Sequence, residues 1–241
     1  MPEGISFPQI RQIIDFEGRN GPDGIKRKSP SVDEPWHFID PASMDSAPLL
    51  DVIDSHINSL YAALDRDSME RAAFEAAWLA HAVTDGLTPA HHFPLEETLV
   101  QLRGGKGLET RNSLLQKGLM TGAGPIELIK NNWKYWGAKG AMTTHLAFEA
   151  GVASVVAYQR FQDGIPTRRD IDVVRKFGYR KYFQECVRQI SEMEMYERFY
   201  RSGWTAKLAK QTNQDLIPLI IRAVVLAWLA AIWRLEEARS A

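Results

Sequence analysis

The sequence predicts an all-α protein built as a single multi-helix bundle, and three features carry that expectation. Apolar residues recur at helical period, most regularly at Leu49, Leu50, Ile53, Ile57, Leu60 and Leu64. Alanine, the strongest helix former, is concentrated at Ala72, Ala73, Ala76, Ala77 and Ala80. Runs of alternating β-branched residues, the mark of half-buried strands, are scarce.

Taken in order, residues 1–35 are rich in Pro, Gly and charge. They predict an irregular N-terminal arm around a short apolar stretch at Phe7 to Phe16, leaving 36–241 as one helical domain. A helix begins at Ala47 or Pro48, carries His56 and ends near Asp65 to Ser68. A second starts at Ser68 and runs through His81 to Asp85, where Gly86 and Pro89 end or bend it and leave His91 on the turn that follows. The glycines of Leu102 to Leu108 and of Thr121 to Pro125 predict loops, and no Lys-Ser or Lys-Thr closes either one as a nucleotide cradle requires. Further helices are expected from about Gly140 to Phe161 through His145 and Glu149, from Thr167 to Phe177, from Tyr182 to Tyr200 and from Asp215 to Arg239. The apolar run Leu216 to Trp233 is interrupted by Pro218 and Arg222 and predicts a buried central helix, with no stable membrane insertion.

A chain of 241 residues can bury one sizeable core, and its formal net charge of −1 gives no general attraction to nucleic acid or anionic membrane. Phosphate recognition must therefore be local. Cys186 is the single cysteine, which excludes a Cys-based structural zinc site and an intramolecular disulfide. As it stands the chain shows no secretory leader and is expected to be cytoplasmic, or secreted if it begins after a removed signal. No protein partner is expected.

The histidines are the informative residues. Five of six lie in or between motifs that carry carboxylates: His37-Phe38-Ile39-Asp40, a lone His56, His81 to Asp85 followed by His91, and His145 to Glu149. A spacing of four puts histidine and carboxylate on one helix face a turn apart, so a single helix can supply two ligands. Neutral imidazole and carboxylate suit zinc, and sets with several carboxylates suit catalytic rather than structural sites. His92 with Glu96 has the same spacing and is read as an exposed helical pair, although His91 and His92 are adjacent and either could serve. Phe38, Phe93, Trp133, Tyr135 and Trp136 lie near the ligand motifs, where aromatic residues are more often core than substrate platform.

Together these motifs resemble the superfamily of zinc-dependent phospholipases C and single-strand-specific zinc nucleases, over roughly Pro35 to Glu149. His37 to Asp40 is similar to the nuclease segment that supplies a zinc-binding aspartate. His81 to Asp85 to His91 looks like the central ligand helix, and His145 to Glu149 like the last one, with Glu as in the phospholipase branch. The resemblance implies that Asp40, His56, His81 and Asp85 hold one zinc while His91, His145 and Glu149 hold a second. Secreted members bind a third zinc through an N-terminal tryptophan and a nearby histidine, whereas this chain starts Met1-Pro2-Glu3 and has no histidine before His37. Two zinc ions are expected, with the third position missing or rebuilt.

Such a cluster would activate water to attack a phosphodiester, in a phospholipid or in single-stranded nucleic acid, with Asp40 also placed to orient the attacking water. The alternatives are a helical metal-binding protein whose catalysis has weakened with the third site, and a structural protein whose histidines coincide by chance.

Overall fold

The computed structural model describes residues 5–44, 47–157 and 159–240, and among them there is no β-strand. The Met1-Pro2-Glu3 start lies outside the described residues. Two short helices, α1 (Ile10–Ile14) and α2 (Pro22–Ile25), give the N-terminal arm more structure than its composition predicts. Phe16 explains why the arm is ordered: its ring meets Phe74 edge-on at 5.7 Å.

The frame is made by α3 (Pro48–Asp65), α4 (Met69–Gly86) and the long α13 (Ile217–Ser240), which pack on one another. Their apolar stripes meet in a core where Leu49, Leu60, Leu79 and Leu226 are fully buried. Each such side chain contributes about 1.5–3 kcal/mol. Proline at the first turn starts α3, and the hairpin to α4 closes through Asp67 in the left-handed region at φ 50°. A helix long and apolar enough to cross a membrane covers Ala206–Ser240, and half of its most apolar window is buried inside the protein.

A smaller satellite core lies beside this frame. It joins Leu95, Leu99 and Leu102 of α5 (Leu95–Leu102) to Met120 and to Tyr135 of α7 (Pro125–Trp136), with Phe38 and Met142 packed against it. The short α6 (Leu114–Gly118) precedes α7, and α8 (Ala141–Val156) follows it. Phe38, packed on this satellite core, also stacks on the His91 ring at 5.3 Å.

The C-terminal half departs from expectation at three points. The helix expected over Tyr182 to Tyr200 is two, α10 (Tyr179–Glu192) and α11 (Met195–Ser202), after α9 (Arg168–Phe177). The break falls at Glu194, whose left-handed φ of 47° interrupts the helix while the Arg198 guanidinium bonds the Met193 carbonyl at 2.6 Å. The last helical stretch starts early, at α12 (Ala206–Gln211), because the Thr205 hydroxyl caps the Leu208 amide. A π turn at Thr212–Leu216 then links α12 to α13. The helix through His145 ends at Val156, short of the expected Phe161.

Gly86 sets how tightly the end of α4 can approach its neighbours. A Cβ there would lie 2.6 Å from Leu49 Cδ2 and 2.7 Å from Phe183 Cζ, both fully buried. Gly86→Ala is expected to cost about 1–3 kcal/mol through overpacking. A thermal melt equal to that of the wild type would contradict the contact.

Candidate metal centre

Three elements converge on one point. The last two turns of α4 supply His81 and Asp85, the 3-10 turn Pro89–His92 supplies His91, and α8 supplies His145 and Glu149. His91 Nε2 and His145 Nε2 each lie 3.1 Å from the same Glu149 Oε1, and a ligand atom from each of the three residues falls within 4.8 Å of the others. Zinc with bonds of about 2.0–2.1 Å holds tetrahedral ligands roughly 3.3 Å apart, so the three groups have the reach of one ion. His91 and His145 are buried among them.

His91 is also oriented. Its Nδ1–H donates to the His37 carbonyl at 2.9 Å, which fixes the ring and turns Nε2 toward Glu149. The His37 ring stands 5.3 Å from that of His91, and its own Nδ1–H donates to the Pro35 carbonyl at 3.0 Å. His37 thus contributes through its backbone. Burial, reinforced by Lys26, pushes its imidazole down to about 3.

A second pair lies alongside. His81 Nε2 is 3.2 Å from Asp85 Oδ2, and Asp85 Oδ2 is 4.0 Å from His91 Nδ1. His81 Nε2 and Asp85 Oδ2 are both buried, and neither has a hydrogen-bond partner among the described residues. A buried ion pair that lacks hydrogen-bond geometry is incompletely compensated unless a proton or an ion bridges it. A cation would do so. On the other side of the ring, His81 Nδ1 lies 3.4 Å from Glu17 Oε2, the carboxylate–histidine arrangement that orients a ligand imidazole. Asp23 Oδ1 approaches His81 Nε2 to 3.8 Å.

Without an ion, protons balance this charge. Burial acts to lower His81, but Asp85 and Glu17 outweigh it and hold the imidazole up to about 10. His91 is raised in the same way, with Asp85 and Glu149 overcoming burial. Burial acts to raise Glu149, yet its bonds from His145 and His91 bring it down to about 2, and Asp85 is likewise held well below the usual carboxylate range by His91 and His81. The raised His81 contributes stability that is complete below its unfolded value near 6.5 and is lost as pH rises through about 10. A metal ion bound at His81 Nε2 would have to displace that proton. Zinc affinity is therefore expected to rise between pH 6 and 9, with net proton release near pH 7, measurable by calorimetric titration in buffers of different ionisation enthalpy. Binding without proton release would contradict the assignment of His81 as a ligand.

The remaining expected ligands lie elsewhere. Asp40 is exposed and turned into its own loop, where it accepts bonds from the Ala42 amide at 2.9 Å and the Ser43 hydroxyl at 2.7 Å. Those two bonds, Ser43's first, lower its pKa. Asp40 makes no ion pair with the histidine groups among the described residues. His56 borders a small cavity with His81 and Asp85, but its Nδ1 is bound 2.6 Å from the buried carboxylate of Glu75, which Arg71 also holds at 2.5 Å. The structure thus brings together five of the seven expected ligands.

The reading of His92 and Glu96 as an exposed helical pair is corrected. His92 lies outside α5, and its Nε2–H donates to the Gly86 carbonyl at 2.9 Å, while Glu96 pairs with Arg111. Burial takes His92 down to about 4.

Asp85, His91, His145 and Glu149 line a cleft of about 610 Å³. Leu95, Leu99, Tyr135, Trp136, Met142 and Leu146 make its apolar walls, with Lys26 and Arg27 on one side. Charged side chains line it too, among them the ion pairs Lys26–Asp23, Lys117–Glu34 and Arg111–Glu96. No protein-family model, curated protein or solved structure matches the chain.

Proposed function

We propose that this protein is a zinc-dependent hydrolase of phosphodiesters. The observation that carries the reading is the convergence of His91, His145 and Glu149, from two separate elements, beside the half-buried pair His81 and Asp85, with Asp85 lining the same cleft. The order and spacing of the same residues, which resemble the zinc phospholipase C and nuclease superfamily, point the same way.

His91, His145 and Glu149 would hold one ion, and His81 with Asp85 would hold another. Bound zinc supplies a water acidic enough to ionise near neutral pH and takes up developing charge on phosphate oxygens. The chain's own residues do the positioning. The His37 carbonyl fixes His91, and the Glu17 carboxylate fixes His81. Leu95, Leu99 and Met142 supply apolar walls, and Arg27 on the lining would meet an anionic substrate, Lys26 being paired with Asp23 at 2.7 Å.

Zinc-dependent turnover of bis-p-nitrophenyl phosphate by the purified full chain tests this function. Hydrolysis that is lost on chelation and restored by zinc is the expected result. One observation favours a second reading, a metal-binding protein of weakened catalysis: Asp40 and His56 are engaged elsewhere, which leaves the His81–Asp85 position with few ligands. Zinc retained without turnover would select it.

A further inference from the structure

One helix wears its apolar face outward. In α7, Ile126, Ile129, Trp133 and Trp136 recur at the spacing of a buried stripe, yet they are 84%, 67%, 70% and 46% exposed. The opposite face is the one that packs: Tyr135 is buried, and Asn131 donates to the carbonyls of Leu102 and Thr121. The stripe continues onto α6, where Leu114 and Leu115 are also exposed, and the Trp136 indole ties the two helices by donating to the Gly118 carbonyl at 2.6 Å. Leu114 and Trp136 line the cleft as well, so this surface is one lip of its mouth.

We infer that α6 and α7 form a docking surface for an anionic phospholipid bilayer. Contiguous exposed apolar surface of this kind marks an interaction site, and indoles beside lysines suit the boundary between headgroups and acyl chains. Lys130 and Lys134 are exposed along one edge of the stripe, where they complement anionic headgroups. A second copy of the chain fits less well. Glu127 is the only acid on α7 against its two lysines, and its carboxylate already accepts the Ala123 amide at 2.8 Å, so two paired stripes would bring an excess of positive charge together. Pairing of two stripes would also crowd the cleft mouth.

Docking goes beyond the hydrolase reading and requires no metal. Where both hold, docking sets the cleft mouth against headgroup phosphodiesters.

Flotation of the full chain with phosphatidylcholine vesicles, with and without phosphatidylglycerol, tests the inference. Binding is expected to be strongest with phosphatidylglycerol and to weaken with salt. Ile129→Ser combined with Trp133→Ser is expected to lower partitioning about tenfold or more, and Lys130→Gln with Lys134→Gln to remove the part that depends on phosphatidylglycerol. These side chains face solvent, so both variants should keep the wild-type melting temperature; Ile126→Ser with Ile129→Ser repeats the test on a second pair. His145→Ala is expected to float like the wild type, which separates failure of docking from failure of the metal centre. Absence of flotation, or equal flotation of the stripe variants, would overturn the inference. So would a solution dimer that the stripe variants dissolve, since it would assign the surface to a second copy.

Discussion

Glu149→Gln is expected to remove one zinc ion per chain and to lower phosphodiester turnover about a thousandfold or more. The reason is geometric. One carboxylate oxygen lies 3.1 Å from two imidazole nitrogens, so the substitution keeps the shape of the side chain and removes the charge on which both converge. His145→Ala should have the same effect on metal content by deleting a ligand outright. Glutamine preserves packing on α8, so loss of zinc with a wild-type circular dichroism spectrum would assign the effect to ligation. Metal analysis after dialysis and steady-state kinetics measure the two consequences separately.

Asp85→Asn is the second large effect. Asp85 Oδ2 faces His81 at 3.2 Å and His91 at 4.0 Å, so this carboxylate stands between the two proposed ion positions. Its loss is expected to empty the His81 position and to reduce turnover by about a hundredfold to ten-thousandfold, while His91, His145 and Glu149 keep their ion. It also removes the main opposite charge facing His81, so proton release on zinc binding should fall. Full zinc content in Asp85→Asn would place the second ion elsewhere.

What the sequence made legible follows from how locally each feature is fixed. The helices with buried stripes, α3 and α4, could be read from period alone because burial and spacing agree there. In α7 they disagree: its apolar residues have helical spacing but face water, and its packing rests on Tyr135 and two asparagines that carry no hydrophobic signal. The break at Glu194 is set by a single left-handed residue without glycine to announce it.

The same distinction runs through the site. His81 with Asp85, and His145 with Glu149, are pairs whose geometry the helix dictates, so their spacing was enough to bring them out. Asp40 and His56 are single residues whose direction depends on neighbours: Ser43 and Ala42 hold one, and Glu75 holds the other. Glu75 did leave a trace, as the one carboxylate among Ala72, Ala73, Ala76 and Ala77. Glu17 and Asp23 left none, since they reach His81 only because the N-terminal arm folds back on α4.

Zinc K-edge absorption spectroscopy of the zinc-loaded full chain tests the metal centre most directly. The expected spectrum shows nitrogen and oxygen ligands at about 2.0–2.1 Å, with imidazole scattering that falls in His145→Ala. A chain that takes up no zinc, or one whose zinc environment is the same in His145→Ala and Glu149→Gln as in the wild type, would contradict a metal centre built on His91, His145 and Glu149.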